Sequence, residues 1–241
     1  MICLCFLLCQ FVALFLVTGI AQLLGRSHFA VSLACRFATV LLGGCLTVSV
    51  ATTMGMIRWK TTFRRPSLSP ARVGGIVLSA VLFILGLNLF AEMVALPDNN
   101  AEMIQGMVHH PLGVLIIAVF SPVVEELVFR ESMINDMQHQ GMRPWPAILV
   151  SALAFGLIHA NPAQIPFAMI MGVFFGYLYW RTGNIWLTSI LHILNNGLAV
   201  ALMLVYGSEA TLSEMVGMGL PVWGIASLLC LFGGWGTHRM V

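Results

Sequence analysis

Ser121-Pro122-Val123-Val124-Glu125-Glu126-Leu127-Val128-Phe129-Arg130 closes an apolar run that begins at Pro111, and it places two adjacent carboxylates and a guanidinium in or near lipid. Each such group costs roughly 2.5–3.5 kcal/mol at a helix centre on insertion scales, so a membrane segment rarely carries three without a use for them. On a helix, Glu126 and Arg130 are four apart and share a face, with the carboxylate on the N-terminal side, the better order for an ion pair. Glu125 points about 100° away from Glu126, at ~3.6 residues per turn. The spacing predicts that Glu126 holds Arg130 and that Glu125, left without a cation, is a candidate general base. The alternative is one structural ion cluster of all three.

Working outward, the chain is 59% hydrophobic and only 8% charged, where a soluble domain carries about 25% charged residues. This is the composition of an all-α, polytopic membrane protein, read as a single domain over 1–241 with the motif-bearing core at about 111–200. A net charge of +2 gives no reason to expect nucleic acid as a partner. Cys3, Cys5, Cys9, Cys35, Cys45 and Cys230 fall in or beside apolar runs, with no CxxC and no Cys/His cluster, and read as small apolar packing residues. The first segment lacks a basic n-region and reads as a retained helix rather than a signal peptide.

Eight spans are expected, at about 3–24, 36–57, 73–96, 111–133, 146–160, 165–181, 184–205 and 219–236. With the N-terminus cytoplasmic, the inner side receives Arg58, Lys60, Arg64, Arg65, Arg72, Arg130, Arg143, Arg181 and Arg239, and the outer side only Arg26 and Arg36. Nine basic residues against two predict both termini inside. The linker Arg58–Arg72 reads as a topology determinant, with anionic lipid headgroups as the alternative ligand. His109-His110 reads as a pair of loop residues.

Two further polar sets sit in later spans. Phe155 and His159 lie four apart, with Gly156 permitting close helix approach, and Thr188, His192, Asn195 and Asn196 form a stripe at spacings of three and four. Taken singly, the histidine suits a buried hydrogen-bonding role and the stripe suits interhelical glue. Together, a base, an imidazole and a His/Asn pair are what hydrolysis needs: one group activates water and others hold the oxyanion. The first three spans show nothing comparable, which disfavours a transport path. For Glu125 and His159 to meet at one depth, the fourth helix must run on past Arg130 through Ser132–Gln140 to a stop at Gly141, giving one tilted helix of about 30 residues. A break at Glu131 would argue against a shared site.

Glu125-Glu126-x-x-x-Arg130, Phe155-x-x-x-His159 and His192-x-x-x-Asn196, in this order on successive apolar segments, resemble the three signature motifs of the CPBP family, the CAAX prenyl endopeptidases and bacteriocin-processing (Abi) proteins. The resemblance covers roughly 111–200 and implies an intramembrane peptidase whose cavity opens to the membrane. It implies Glu125 as general base acting with His159 on water, His192 and Asn196 as the oxyanion hole, and Glu126 and Arg130 as site-ordering residues. The substrate implied is a membrane-associated peptide or protein tail, and the location is the bilayer, most simply a bacterial cytoplasmic membrane. No cofactor is expected. Zinc is the alternative, held by Glu125, His159 and His192 with an open position for water; no HExxH is present, and Asn196 beside His192 suits oxyanion binding better than ligation. The competing functions are a non-catalytic immunity or scaffold protein and, less favoured, a small-solute or proton transporter. The residues leave the oligomeric state open, since Gly172 and Gly176 form a GxxxG that packs equally well within a bundle or between chains.

Overall fold

The structure, a computed structural model, describes residues 2–25, 32–62, 68–94, 96–207 and 222–241. Every described element is helical: α1 Ile2–Leu23, α2 Leu33–Thr53, the single turn α3 Trp59–Thr62, α4 Pro70–Met93, α5 Ala101–Val108, α6 Pro111–His139, α7 Pro144–Leu157, α8 Ile165–Thr182, α9 Ile185–Tyr206 and α10 Val222–Met240. Each of the eight expected spans has its helix. Among the described residues, α1, α2, α4, α6 and α9 are long and apolar enough to cross a membrane. At 14 residues α7 is short; it rises only about 21 Å, less than a ~30 Å hydrocarbon core.

Helix starts follow local chemistry. Ser32 and Ser69 accept hydrogen bonds from the backbone N–H of Cys35 and Arg72, and Asn184 does the same for Leu187. His109 and His110 are capping residues of the loop they were assigned to: His109 Nδ1–H donates to the Gln105 carbonyl at 2.7 Å, and His110 Nδ1 accepts from Leu112 N–H at 3.2 Å.

The helix α6 runs unbroken through Glu131, 29 residues in all, and stops at Gln140 and Gly141 (φ +90°). It is not uniform. Ile116–Phe120 and Leu127–Ile134 are wound as π-helix, and the α-helical turn Ser121–Glu126 between them carries both glutamates. Widened turns detach carbonyls from the regular i→i−4 ladder, and side chains collect them. Ser151 Oγ donates to Phe129 O at 2.7 Å and Asn196 Nδ2 to Ile117 O at 3.2 Å.

Helices pack as pairs, α1 with α2, α4 with α10, and α7 with α8; the first and last pairs lie against α6, while α4 lies against α8 and α9. In the last pair a Cβ on Gly172 would fall 2.9 Å from Ala152 Cα, and one on Gly156 2.2 Å from Met169 Cγ. The GxxxG therefore serves contact inside the bundle. One core joins α4, α8 and α9 through Ile84, Leu87, Phe175, Leu187 and Leu191; a second joins α2, α6 and α7 through Ala51, Val128, Phe129 and Phe155. The outward face of α1 exposes Phe11, Phe15 and Leu23, as a lipid-facing surface does. Cys5, Cys9, Cys35, Cys45 and Cys230 are free thiols on these helices; the side chain of Cys3, most of the 206–218 loop, and Arg64 and Arg65 lie outside the described residues.

Candidate active site

The division between the two glutamates holds. Glu126 is fully buried and pairs with the buried Arg130 guanidinium, Nε to Oε2 3.3 Å. Arg130 consequently leaves the list of inner-face charges: it is a bundle-interior residue, lying over the Phe155 ring at 4.3 Å and the Phe175 ring at 5.7 Å. Glu125 has no Lys or Arg ion-pair partner among the described residues and keeps 17% of its side chain exposed.

His192 joins the two carboxylates, a link the spacing did not predict. Its Nδ1–H donates to Glu126 Oε1 at 2.9 Å, while Nε2 lies 3.7 Å from Glu125 Oε2. The histidine therefore ties α9 to α6 at the turn that carries both acids.

His159 is reached differently. The expected span to residue 160 ends at Leu157, because Asn161-Pro162 disfavours helical backbone just beyond, and His159 sits in the turn that follows. Its Nδ1–H donates to the Phe155 carbonyl at 2.8 Å. A carbonyl only accepts, so the tautomer is fixed and the Nε2 lone pair of the neutral ring is left available. Ala160, next along, adopts φ +49°, a conformation costing an L-residue roughly 1–2 kcal/mol. A clasp holds it: buried Asn161 donates from Nδ2 to Asp98 Oδ1 at 2.8 Å and accepts from Asn99 N–H at 3.2 Å. Phe155 is the packing hub, its ring 5.0 Å from the His159 ring, 5.8 Å from that of His192, and under Arg130.

Glu125, His159, His192 and Asn196 all line one cavity of about 860 Å³. Glu126 and Arg130 stand behind its wall. The cavity reaches the lipid-facing helix, where exposed Leu7 and Phe11 of α1 form part of its lining, and its polar rim includes Asp98 and Gln164. One expectation is corrected. The first three spans do contribute polar groups, with Gln10, Thr39 and Asn88 on the same lining. Asn88 in particular was visible as an amide deep in the apolar run Val81–Phe90, the kind of intramembrane polar residue that asks for a role. Separately, buried Glu131 accepts from Thr62 Oγ1 at 2.7 Å and from Tyr179 OH at 2.5 Å, tying α3 and α8 to α6.

The proposed zinc set does not assemble in this arrangement. Among the described residues no three His, Cys, Asp or Glu side chains converge at ligand spacing, and His192 Nδ1 is committed to Glu126.

Residues 107–198 match the family model described as type II CAAX prenyl endopeptidase Rce1-like. Over that segment the chain is similar to the Rce1-like CAAX prenyl endopeptidases. The segment runs from the end of α5 into α9 and contains all six motif residues, leaving α1, α2 and α4 outside. YdiL of Bacillus subtilis (strain 168), named as a membrane peptidase, is 25% identical over 130 residues, 54% of this chain and 50% of YdiL. MroQ of Staphylococcus aureus (strain USA300), named as a membrane-embedded CAAX protease, is 31% identical over 99 residues, 39% of this chain and 40% of MroQ. The chain thus spans half or less of the length of these relatives. No solved structure matches it. An all-helical integral membrane protein with an Rce1-like segment is what fold and comparisons together give.

Proposed function

We propose that the protein is an intramembrane endopeptidase that hydrolyses a peptide bond in a membrane-associated peptide or protein tail. One observation carries the reading: Glu125, His159, His192 and Asn196, drawn from α6, the turn after α7, and α9, line a single chamber beside a lipid-facing helix. Glu125, acting with the His159 Nε2 lone pair, takes a proton from water as its oxygen bonds to the scissile carbonyl carbon. The proton then passes to the amide nitrogen, the C–N bond breaks, and a carboxylic acid and an amine leave. Asn196 Nδ2–H and His192 face the developing oxyanion. With Nδ1–H committed to Glu126, His192 has its Nε2 edge left for the chamber. A glutamate-type reaction, without zinc, is the form we favour, in a cytoplasmic membrane of a bacterium.

The test is quantitative comparison of membrane peptides in cells carrying the wild type or Glu125→Gln. Fragments that vanish with Glu125→Gln support the peptidase. An unchanged peptide set with an intact cellular phenotype overturns it in favour of a scaffold.

A further inference from the structure

Three asparagine side chains join α4, α9 and α6 in one directed line. Asn88 Nδ2 donates to its own-helix Ile84 carbonyl at 2.8 Å and to Asn195 Oδ1 at 3.1 Å. Asn195 Nδ2 donates to Asn196 Oδ1 at 3.1 Å, and Asn196 Nδ2 donates to the Ile117 carbonyl at 3.2 Å. Both ends are backbone carbonyls, which only accept. Nitrogen must therefore face Ile117 at one end and Ile84 at the other, and no amide in the line can turn over without losing a bond. The Ile117 carbonyl is itself presented by the π-helical turn Ile116–Phe120.

An amide nitrogen carries two hydrogens, and Ile117 takes one from Asn196. The second is left for the chamber that Asn196 lines. We propose that Asn88 and Asn195 are positioning residues that fix the Asn196 amide with its second N–H toward the reacting carbonyl. Their catalytic consequence rests on the peptidase reading above; the orientation itself does not. Glue alone is a poorer account of the same bonds. Ile84, Leu87, Leu187 and Leu191 already pack α4 against α9, and all three asparagines line the cavity instead of filling that contact. The inference also gives α4, which lies outside the Rce1-like segment, a direct part in the site.

The experiment has two arms on the full-length protein. In detergent micelles with 15N-asparagine labelling, eight side-chain amide pairs are present, and that of Asn196 is identified by its loss in Asn196→Ala. Asn88→Leu should move the Asn196 pair, and Asn88→Gln, which keeps a donor, should return it toward the wild-type position. An unmoved Asn196 pair in Asn88→Leu overturns the proposal. In the second arm, release of the Glu125-dependent membrane fragments should fall about 10²–10³-fold in Asn196→Ala and roughly ten- to hundredfold in Asn88→Leu. Asn88→Leu/Asn196→Ala should be no slower than Asn196→Ala, because Asn88 acts only through Asn196. Multiplying effects would sink the positioning role. Should Glu125→Gln leave every fragment in place, the peptidase reading fails, while the amide spectrum still decides the orientation.

Discussion

Replacing Glu126 by Leu strands the Arg130 guanidinium in the bundle and strips His192 Nδ1–H of its acceptor. Breaking one partner of a buried pair costs about 3–5 kcal/mol, so Glu126→Leu should lower stability by that order in denaturant titration of the detergent-solubilised protein. Glu126→Leu/Arg130→Met should recover most of the loss, since both charges then leave together. Glu125→Gln should do neither, because Glu125 is partly exposed to the chamber and has no Lys or Arg ion-pair partner among the described residues. Its loss should read instead as a drop in fragment release of about 10²–10⁴-fold, the usual worth of a general base. The same residues bear on the choice between a glutamate-type and a zinc reaction. Among the described residues no three His, Cys, Asp or Glu side chains gather at ligand spacing, and His159 Nδ1 is held by the Phe155 carbonyl. Activity should therefore survive exhaustive chelation of purified protein whose zinc content is measured alongside. Activity lost with the zinc and restored by adding it back would reverse the assignment.

At the scale of elements, α7 and α8 approach so closely that a side chain on Gly172 meets Ala152 backbone. Gly172→Leu should push the helices apart and cost roughly 1–3 kcal/mol by overpacking. Because α7 delivers Phe155 and the turn holding His159, activity should fall with stability; a stable, fully active Gly172→Leu protein would show that this contact does not set the site. Much of this was legible beforehand. The i,i+4 spacing of Glu126 and Arg130 gave their pairing, and the need for Glu125 and His159 to share a depth gave an α6 continuous to Gly141. What spacing could not give was the winding within α6, since π-turns depend on tertiary donors such as Ser151 and Asn196 taking up the released carbonyls. Nor could it give the Asp98–Asn161 clasp, whose partners are 63 residues apart. Asn88 was legible as an anomaly, but its partner Asn195 is 107 residues away and only the packing of α4 on α9 joins them.

Across the whole molecule, contacts between segments distant in sequence sort into two faces. On one, Thr62 meets Glu131, Tyr177 OH bonds His238 Nδ1 at 2.6 Å, and Arg72 reaches the carbonyls of Met240 and Val241. On the other, Ala163 N–H donates to Pro97 O at 3.2 Å beside the Asp98–Asn161 clasp. The first face carries Arg58, Arg72, Arg143, Arg181 and Arg239; the described loops of the second carry Asp98 and Glu102, with Arg36 the one described basic residue at that end. Removing Arg130 from the original nine leaves eight inner charges against two, which preserves the bias. The first face, with both termini, should therefore be cytoplasmic. Exposed Gln140 and Asn99 test it, as Gln140→Cys and Asn99→Cys in otherwise native protein. A membrane-impermeant maleimide added to intact cells should label Asn99→Cys and spare Gln140→Cys until the membrane is opened, with wild type as the blank because its described cysteines lie within helices. Labelling in the opposite order would invert the protein and put His159 and the polar rim of the chamber on the cytoplasmic side. Labelling of both from outside would mean that α6 does not separate the two faces, and the depth at which Glu125 meets His159 would need another explanation.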